Sequence, residues 1–291
     1  MSARTKTHSE VDARGDDVTE APADAPLPKE RPKRVLGIPD IAYTVTIGIA
    51  LLSLAEIAGA SGWISPLILP RPSAVWQSLV DGFSTGLYWR HIQSTLLSTM
   101  AGFGLASVSA IVIAGLLASV PWLERVFIPY IIAFQSLPKI AIAPLVILWL
   151  GFGESSKITI VALICFFPIL INSLQGLKLR NREHFELLRS LGATRWQLFR
   201  FLRIPGSLPY VFAGLHIGVI FALIGAVVAE FVGSRAGLGY TLMQQKAVFN
   251  VPGVFALLVL LMIAGLLLNW IMTTLERKIA FWAEDVSVVS A

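Results

Sequence analysis

Four stretches of this chain, 92–123, 158–177, 204–229 and 247–275, contain no Asp, Glu, Lys or Arg. Each is long enough for a helix to cross a hydrocarbon core, which takes roughly 20 residues. In lipid the backbone must satisfy its own hydrogen bonds, and long continuous apolar runs do so as helices. Only 14% of the 291 residues are charged and 55% are hydrophobic, whereas a soluble globule carries about a quarter charged residues. The chain therefore reads as an all-α integral membrane protein. A net charge of +5 would suit nucleic acid, but the basic residues sit between apolar runs rather than on one folded face. The single cysteine, Cys165, lies within an apolar run, which excludes an intrachain disulfide and a cysteine-based metal site.

Three segments are expected. Residues 1–37 form a disordered tail, because 1–34 balances seven Lys/Arg against seven Asp/Glu with little apolar surface. Residues 38–280 form a transmembrane domain, and 281–291 a short C-terminal tail. Six spans are placed at about 39–60, 92–119, 127–150, 158–177, 209–232 and 253–275. With the N-terminus inside, the inner segments hold seventeen Lys/Arg and the outer segments five. That bias puts both termini in the cytoplasm. Span 127–150 is interrupted by Pro138, Lys139 and Pro144. Either Lys139 faces a polar interior or this span is a broken helix lining a cavity. In the outer loop 61–91, Ser73 is expected to cap a short helix over 74–82. That helix lies on the outer leaflet or docks an external partner.

Helices associate in lipid through close packing of small residues. Gly102, Ala106, Ala110, Ala114 and Ala118 form one stripe at four-residue spacing, and Gly214 and Gly218 form a second. Either stripe serves intrachain packing or a dimer seam. Glu56, Gln135, Lys139, Asn172, His216 and Glu230 fall in or near spans, where ionisable groups face a cavity or a partner. Gln135 and Lys139, four apart, share a helix face and with Glu230 are candidates for a solute path. Lys139 would attract an anion there; otherwise it pairs with Glu230 or snorkels to an interface. Glu230 itself reads either as a path residue or as a hydrated cap near the outer end of its span. His216 reads as a packed, hydrogen-bonded residue.

The loop 178–203 carries seven Lys/Arg, which alone would serve as a positive-inside anchor. Its pattern is more specific than that. Glu183 and Glu186 occupy the first turns of a helix, where acids favour the positive dipole end. Phe185, Leu188 and Leu191 give that helix an apolar stripe, and Gly192 caps its C-terminus. Thr194 and Gln197 form a capping box that opens a second helix, which Pro205 and Pro209 are expected to stop.

The same residues resemble the cytoplasmic signature of permease subunits of binding-protein-dependent ABC importers, E-A-A-x3-G-x9-I-x-L-P. Here it reads Glu186-Leu187-Leu188, then Gly192-Ala193, then Leu202-Arg203-Ile204-Pro205. Leucines replace the two alanines, and I-x-L-P becomes L-R-I-P. Residues 137–153, 166–176 and 225–239 are similar to nitrate/sulfonate/taurine-type permeases, and 137–145 looks closer to the branch importing pyrimidine-type vitamin precursors or small aromatic acids. The resemblance covers about 40–280. It implies a type I ABC importer permease-like bundle of six transmembrane helices with a cytoplasmic coupling helix, in a bacterial plasma (inner) membrane. It also implies that Glu183, Glu186, Leu187, Leu188, Gly192, Ala193 and Pro205 couple to an ABC ATPase subunit, present in two copies. A periplasmic or lipid-anchored solute-binding protein and a second permease copy, forming a homodimer, are the other implied partners.

No phosphate-cradling G-x-x-x-x-G-K-[ST] loop, H-E-x-x-H pair or nucleophile elbow is present. ATP is therefore expected on the partner subunit, with no enzyme activity, cofactor or metal in this chain. A secondary transporter driven by an ion gradient is the alternative, although the two halves show no internal repeat. A non-transporting membrane scaffold is a further one.

Overall fold

The structure is a computed structural model that describes residues 40–63, 65–178 and 182–283. The expected tail 1–37 and residues 284–291 of the expected C-terminal tail lie outside the described residues. The chain divides into two units, Met1–Ala50 and Leu51–Ala291. The first contributes the start of helix α1 (Asp40–Ala60). The second contains α2 (Pro72–Ser84), α3 (Leu87–Ser119), α4 (Pro121–Ser136), α5 (Ala143–Leu150) and α6 (Glu154–Lys178), followed by α7 (Arg182–Ser190), α8 (Arg195–Leu198), α9 (Ile204–Gly233), α10 (Leu238–Ala247) and α11 (Val251–Ile279). No strand occurs among the described residues.

Five helical segments among the described residues are long and apolar enough to cross a membrane. A sixth crossing is available if α4 and the segment Lys139–Leu150 count as one span, bent by 82°. Of the two readings for 127–150, the structure shows the break: two helical segments meet at an elbow. Pro138 explains the break: it has no N–H to continue the α4 ladder, and it forces Leu137 out of helical geometry, to φ −71° and ψ 137°.

The core of the second unit is the contact of α3, α6 and α9, with α11 against it. Phe103, Ala106, Ala110 and Ala114 of α3 meet Val161, Cys165 and Ile169 of α6 and Val219, Ala222 and Ala226 of α9. Lipid offers no hydrophobic drive for this association, so the contact depends on how closely backbones approach. Both small-residue stripes serve that intrachain approach. A Cβ on Gly102 would stand 2.5 Å from the Val161 Cβ and 2.8 Å from the Ile158 carbonyl oxygen. On Gly214 it would stand 2.9 Å from the Asn172 Cβ, and on Gly218 2.8 Å from the Ile169 Cδ1. Gly102→Leu is expected to cost about 1–3 kcal/mol by forcing α3 off α6. A lowered thermal midpoint of the detergent-solubilised protein would report it.

Two corrections concern helix ends. Ser73 does not cap α2, whose first residue is Pro72. Instead the carboxylate of Glu56 on α1 accepts from the Ser73 N–H (3.0 Å) and from its hydroxyl (2.8 Å). A side chain from a separate helix thus satisfies the N-terminal donors that a local serine was expected to serve. Pro205 and Pro209 do not stop the helix of the loop either. From Trp196 to Gly233 the chain is one continuous apolar helix of 38 residues. A π turn at Phe199–Arg203, in which the Ile204 N–H donates to the Phe199 carbonyl, widens the backbone just before Pro205. The widened turn gives the proline ring room that regular α geometry denies it.

Candidate functional site

The loop after α6 folds as the helical hairpin its sequence implies, and each turn of it has an identified cause. α7 ends in a Schellman arrangement: the Ala193 N–H donates to the Leu188 carbonyl and the Gly192 N–H to the Arg189 carbonyl, each at 3.0 Å. This needs a left-handed residue at the cap, and Gly192 has φ +81°. The chain restarts at once through the capping box. The Thr194 N–H donates to Gln197 Oε1 (2.8 Å), and the Gln197 N–H donates to Thr194 Oγ1 (3.3 Å).

Glu186 and Leu187 are exposed on α7, Phe185 and Leu188 are half-buried, and Leu191 is 74% exposed. Leu191 therefore leaves the expected apolar stripe, because it lies past the helix end where the backbone turns. The side chain of Glu183 lies outside the described residues. A cavity of about 630 Å³ separates the hairpin (Phe185, Arg189, Trp196, Phe199) from the α3–α4 turn (Ser119, Pro121). Nearby, Lys178 at the end of α6 forms an ion pair with Glu124 in the first turn of α4.

α8, the π turn and α9 are continuous, so the hairpin passes without interruption into a helix that forms part of the core. Pro205 is half-buried near the start of α9. Further along, His216 on α9 lies between Glu276 (Nε2 to Oε2, 2.8 Å) and Asn269 (Nδ1 to Oδ1, 3.3 Å) of α11, as its packed, hydrogen-bonded reading expected.

Gln135 and Lys139 do not share a helix face, since the Leu137–Pro138 break falls between them. They remain neighbours: Lys139 Nζ lies 3.5 Å from the Gln135 carbonyl oxygen and 5.1 Å from the centroid of the Phe167 ring. Gln135 is exposed and Lys139 half-buried. No carboxylate pairs with Lys139 among the described residues, so the expected alternative of a Lys139–Glu230 pair is overturned.

Glu230 is neither a hydrated cap nor open to a passage in this structure; it is 2% exposed. Its Oε1 accepts from Thr95 Oγ1 on α3 (2.8 Å), and its Oε2 from the Gly239 N–H (2.7 Å). Thr95 in turn accepts from the Leu238 N–H (2.8 Å), and His91 Nδ1 accepts from the Gly237 N–H (3.0 Å). Beside it, Lys157 on α6 is 2% exposed and reaches Ser94 Oγ (2.7 Å) and Glu154 (2.5 Å). Together these groups fasten the 234–239 turn to α3, at the end of α9 opposite the hairpin. Sequence reasoning misses this fastening and counts Lys157 as an ordinary loop charge. One signal was available: Gly237 and Gly239, two residues apart, where a Cβ would lie 2.0 Å from the Glu230 carboxyl carbon and 2.9 Å from the Val227 carbonyl oxygen, respectively.

Residues 78–281 match the family described as "Binding-protein-dependent transport system inner membrane component". The chain belongs to this family of ABC importer permeases. Over 244 residues the permease is 37% identical to the riboflavin transport system permease protein RibX of Chloroflexus aurantiacus, covering 84% of this chain and 91% of that protein. It is also 37% identical over 217 residues to the formylaminopyrimidine transport permease protein ThiX of Halalkalibacterium halodurans, covering 75% and 86%. In fold the permease resembles an inward-facing structure of the MetNI methionine ABC transporter, with TM-score 0.53 and 22% identity, covering 65% of this chain and 93% of that one. The permease is thus a multi-pass, all-helical inner-membrane subunit of an ABC importer for a small solute, in a family whose ATPase is a separate subunit. Family membership sets aside the ion-gradient and scaffold readings.

Proposed function

We propose that this permease pairs with a second copy around a central path and docks one ATPase subunit on each of the two α7–α8 hairpins. Both termini and the hairpins face the cytoplasm, and a binding protein delivers solute from the opposite side. ATP binding draws the hairpins together, and the continuous α8–α9 lever carries that motion into the packed helices, which switch between two arrangements. One observation carries this reading: the hairpin is fixed at both ends of its turn, by the Gly192 cap and the Thr194–Gln197 box, and passes without interruption into α9. A mere charge anchor needs no such stiffness.

The coupling contact uses Glu183, Glu186, Leu187, Leu188, Gly192 and Ala193, with Pro205 at the base of the lever. Exposure of Glu186 and Leu187 supports this. The solute is small and anionic or heteroaromatic, of the sulfonate, nitrate, taurine or pyrimidine-precursor type. Gln135 and Lys139 line its path, and an ammonium with no carboxylate partner among the described residues supports an anion. Glu230, proposed from sequence for the same path, is better assigned to fastening the helices.

Glu186→Arg is expected to weaken retention of the ATPase during co-purification by at least about tenfold, since a reversed charge in a docking groove opposes its partner. Membrane insertion should be normal. Unchanged retention and uptake would remove Glu186 from the contact. Native mass spectrometry of the assembled complex checks the two-plus-two composition.

A further inference from the structure

Lys139 is a cation in a membrane protein with no carboxylate partner among the described residues, and it stands at a helix break. Irregular backbone at membrane depth is tolerated where it lines a cavity, and a charge there faces a cavity or a partner. What surrounds this charge is aromatic. Phe167 lies under the ammonium, Phe134 stacks on Phe167 at 6.3 Å and 19°, and Phe166 meets Phe167 edge-on at 5.2 Å. Phe134 is also the last of three aromatic residues on one face of α4. Phe127, Tyr130 and Phe134 are 47%, 61% and 55% exposed, and α4 has no buried residue. The helix thus presents uncovered ring faces that end at an uncompensated positive charge.

From this juxtaposition we infer that the α4–α5 elbow is a solute-contacting site selective for flat, conjugated organic anions. The oxyanion pairs with Lys139 Nζ while the ring system stacks on the open face of Phe134. The cation–π contact with Phe167 holds the ammonium in position, and it persists when no solute is present. A flat guest gains from ring stacking, which an aliphatic anion of the same charge lacks. The inference rests on the proposed path past Lys139 and adds the class of solute that this path favours.

The test uses the assembled transporter in lipid nanodiscs, with the buried Cys165 replaced by serine and Gln135→Cys as the only thiol in the permease. The rate of labelling by sulfonatoethyl methanethiosulfonate is measured with naphthalenesulfonate or butanesulfonate as the competing probe. Naphthalenesulfonate is expected to slow labelling about tenfold more than butanesulfonate at equal concentration. Lys139→Gln should abolish protection by both probes and Lys139→Arg should retain it, while Phe167→Leu should reduce the difference between them. Equal protection by the two probes, or protection that survives Lys139→Gln, overturns the inference and leaves the path reading standing. If the thiol introduced by Gln135→Cys is never labelled, the path reading fails and the inference with it.

Discussion

Gly237→Ala is expected to prevent the permease from being recovered as a folded, monodisperse protein. Gly237 has φ +132°, and a Cβ there would lie 2.0 Å from the Glu230 carboxyl carbon and 2.1 Å from its Oε1. Two costs add. A non-glycine residue in that region of backbone space costs about 1–3 kcal/mol. The displaced carboxylate must also abandon Thr95 and the Gly239 N–H, leaving buried polar groups unpaired at about 1–3 kcal/mol each. Relaxation is blocked on the far side, because a Cβ on Gly239 would stand 2.9 Å from the Val227 carbonyl oxygen, so that turn is already in close contact with α9. Size-exclusion profile and thermal midpoint in detergent measure the effect. Thr95→Val is the milder companion: it removes the acceptor for the Leu238 N–H and one donor to Glu230 without any clash. A Gly237→Ala protein as stable as the parent would show that the Glu230 fastening contributes little to stability.

Gly192→Val is expected to separate assembly of the permease in the membrane from transport. The backbone at Gly192 is left-handed, φ +81°, with open space around it and no atom within 4 Å of an added Cβ. The penalty is therefore conformational rather than steric crowding by neighbours. A β-branched side chain there costs about 1–3 kcal/mol, enough to shift a two-state hairpin about fivefold to 150-fold toward a differently bent form. Solute-dependent ATP hydrolysis and uptake should fall by a comparable factor, while expression and thermal midpoint of the permease change little. Gly192→Asn is the control, since asparagine tolerates the left-handed region, and it should retain most of the coupling. If valine and asparagine behave alike, the angle of the hairpin is not what transmits the force.

These two glycines were not equally legible. Gly192 could be read from the sequence because everything that defines it lies within five residues: the Leu188 and Arg189 carbonyls behind it and the Thr194–Gln197 box ahead. The role of Gly237 could not. Its neighbour Glu230 is bound to Thr95, 135 positions earlier in the chain, and its own N–H to His91, 146 positions earlier. Proline was misleading for a related reason. The rule that Pro205 ends a helix assumes regular α geometry, and the π turn at Phe199–Arg203 changes that geometry.

By itself, the sequence determined that the chain is helical and membrane-embedded, that Pro138, Lys139 and Pro144 interrupt the run 127–150, and that a capped hairpin lies between two apolar helices. Those outcomes depend on the solvent around a run of residues and on hydrogen bonds spanning a few positions. Tertiary structure alone decided that Glu56 rather than Ser73 satisfies the start of α2, that Lys157 and Glu230 are enclosed, and that Lys139 has aromatic neighbours and, among the described residues, no carboxylate. Each of these depends on the register at which one helix lies against another. That register is set by close backbone approach at Gly102, Gly214 and Gly218, and the identity of the partner at each approach is not carried in any local window of sequence.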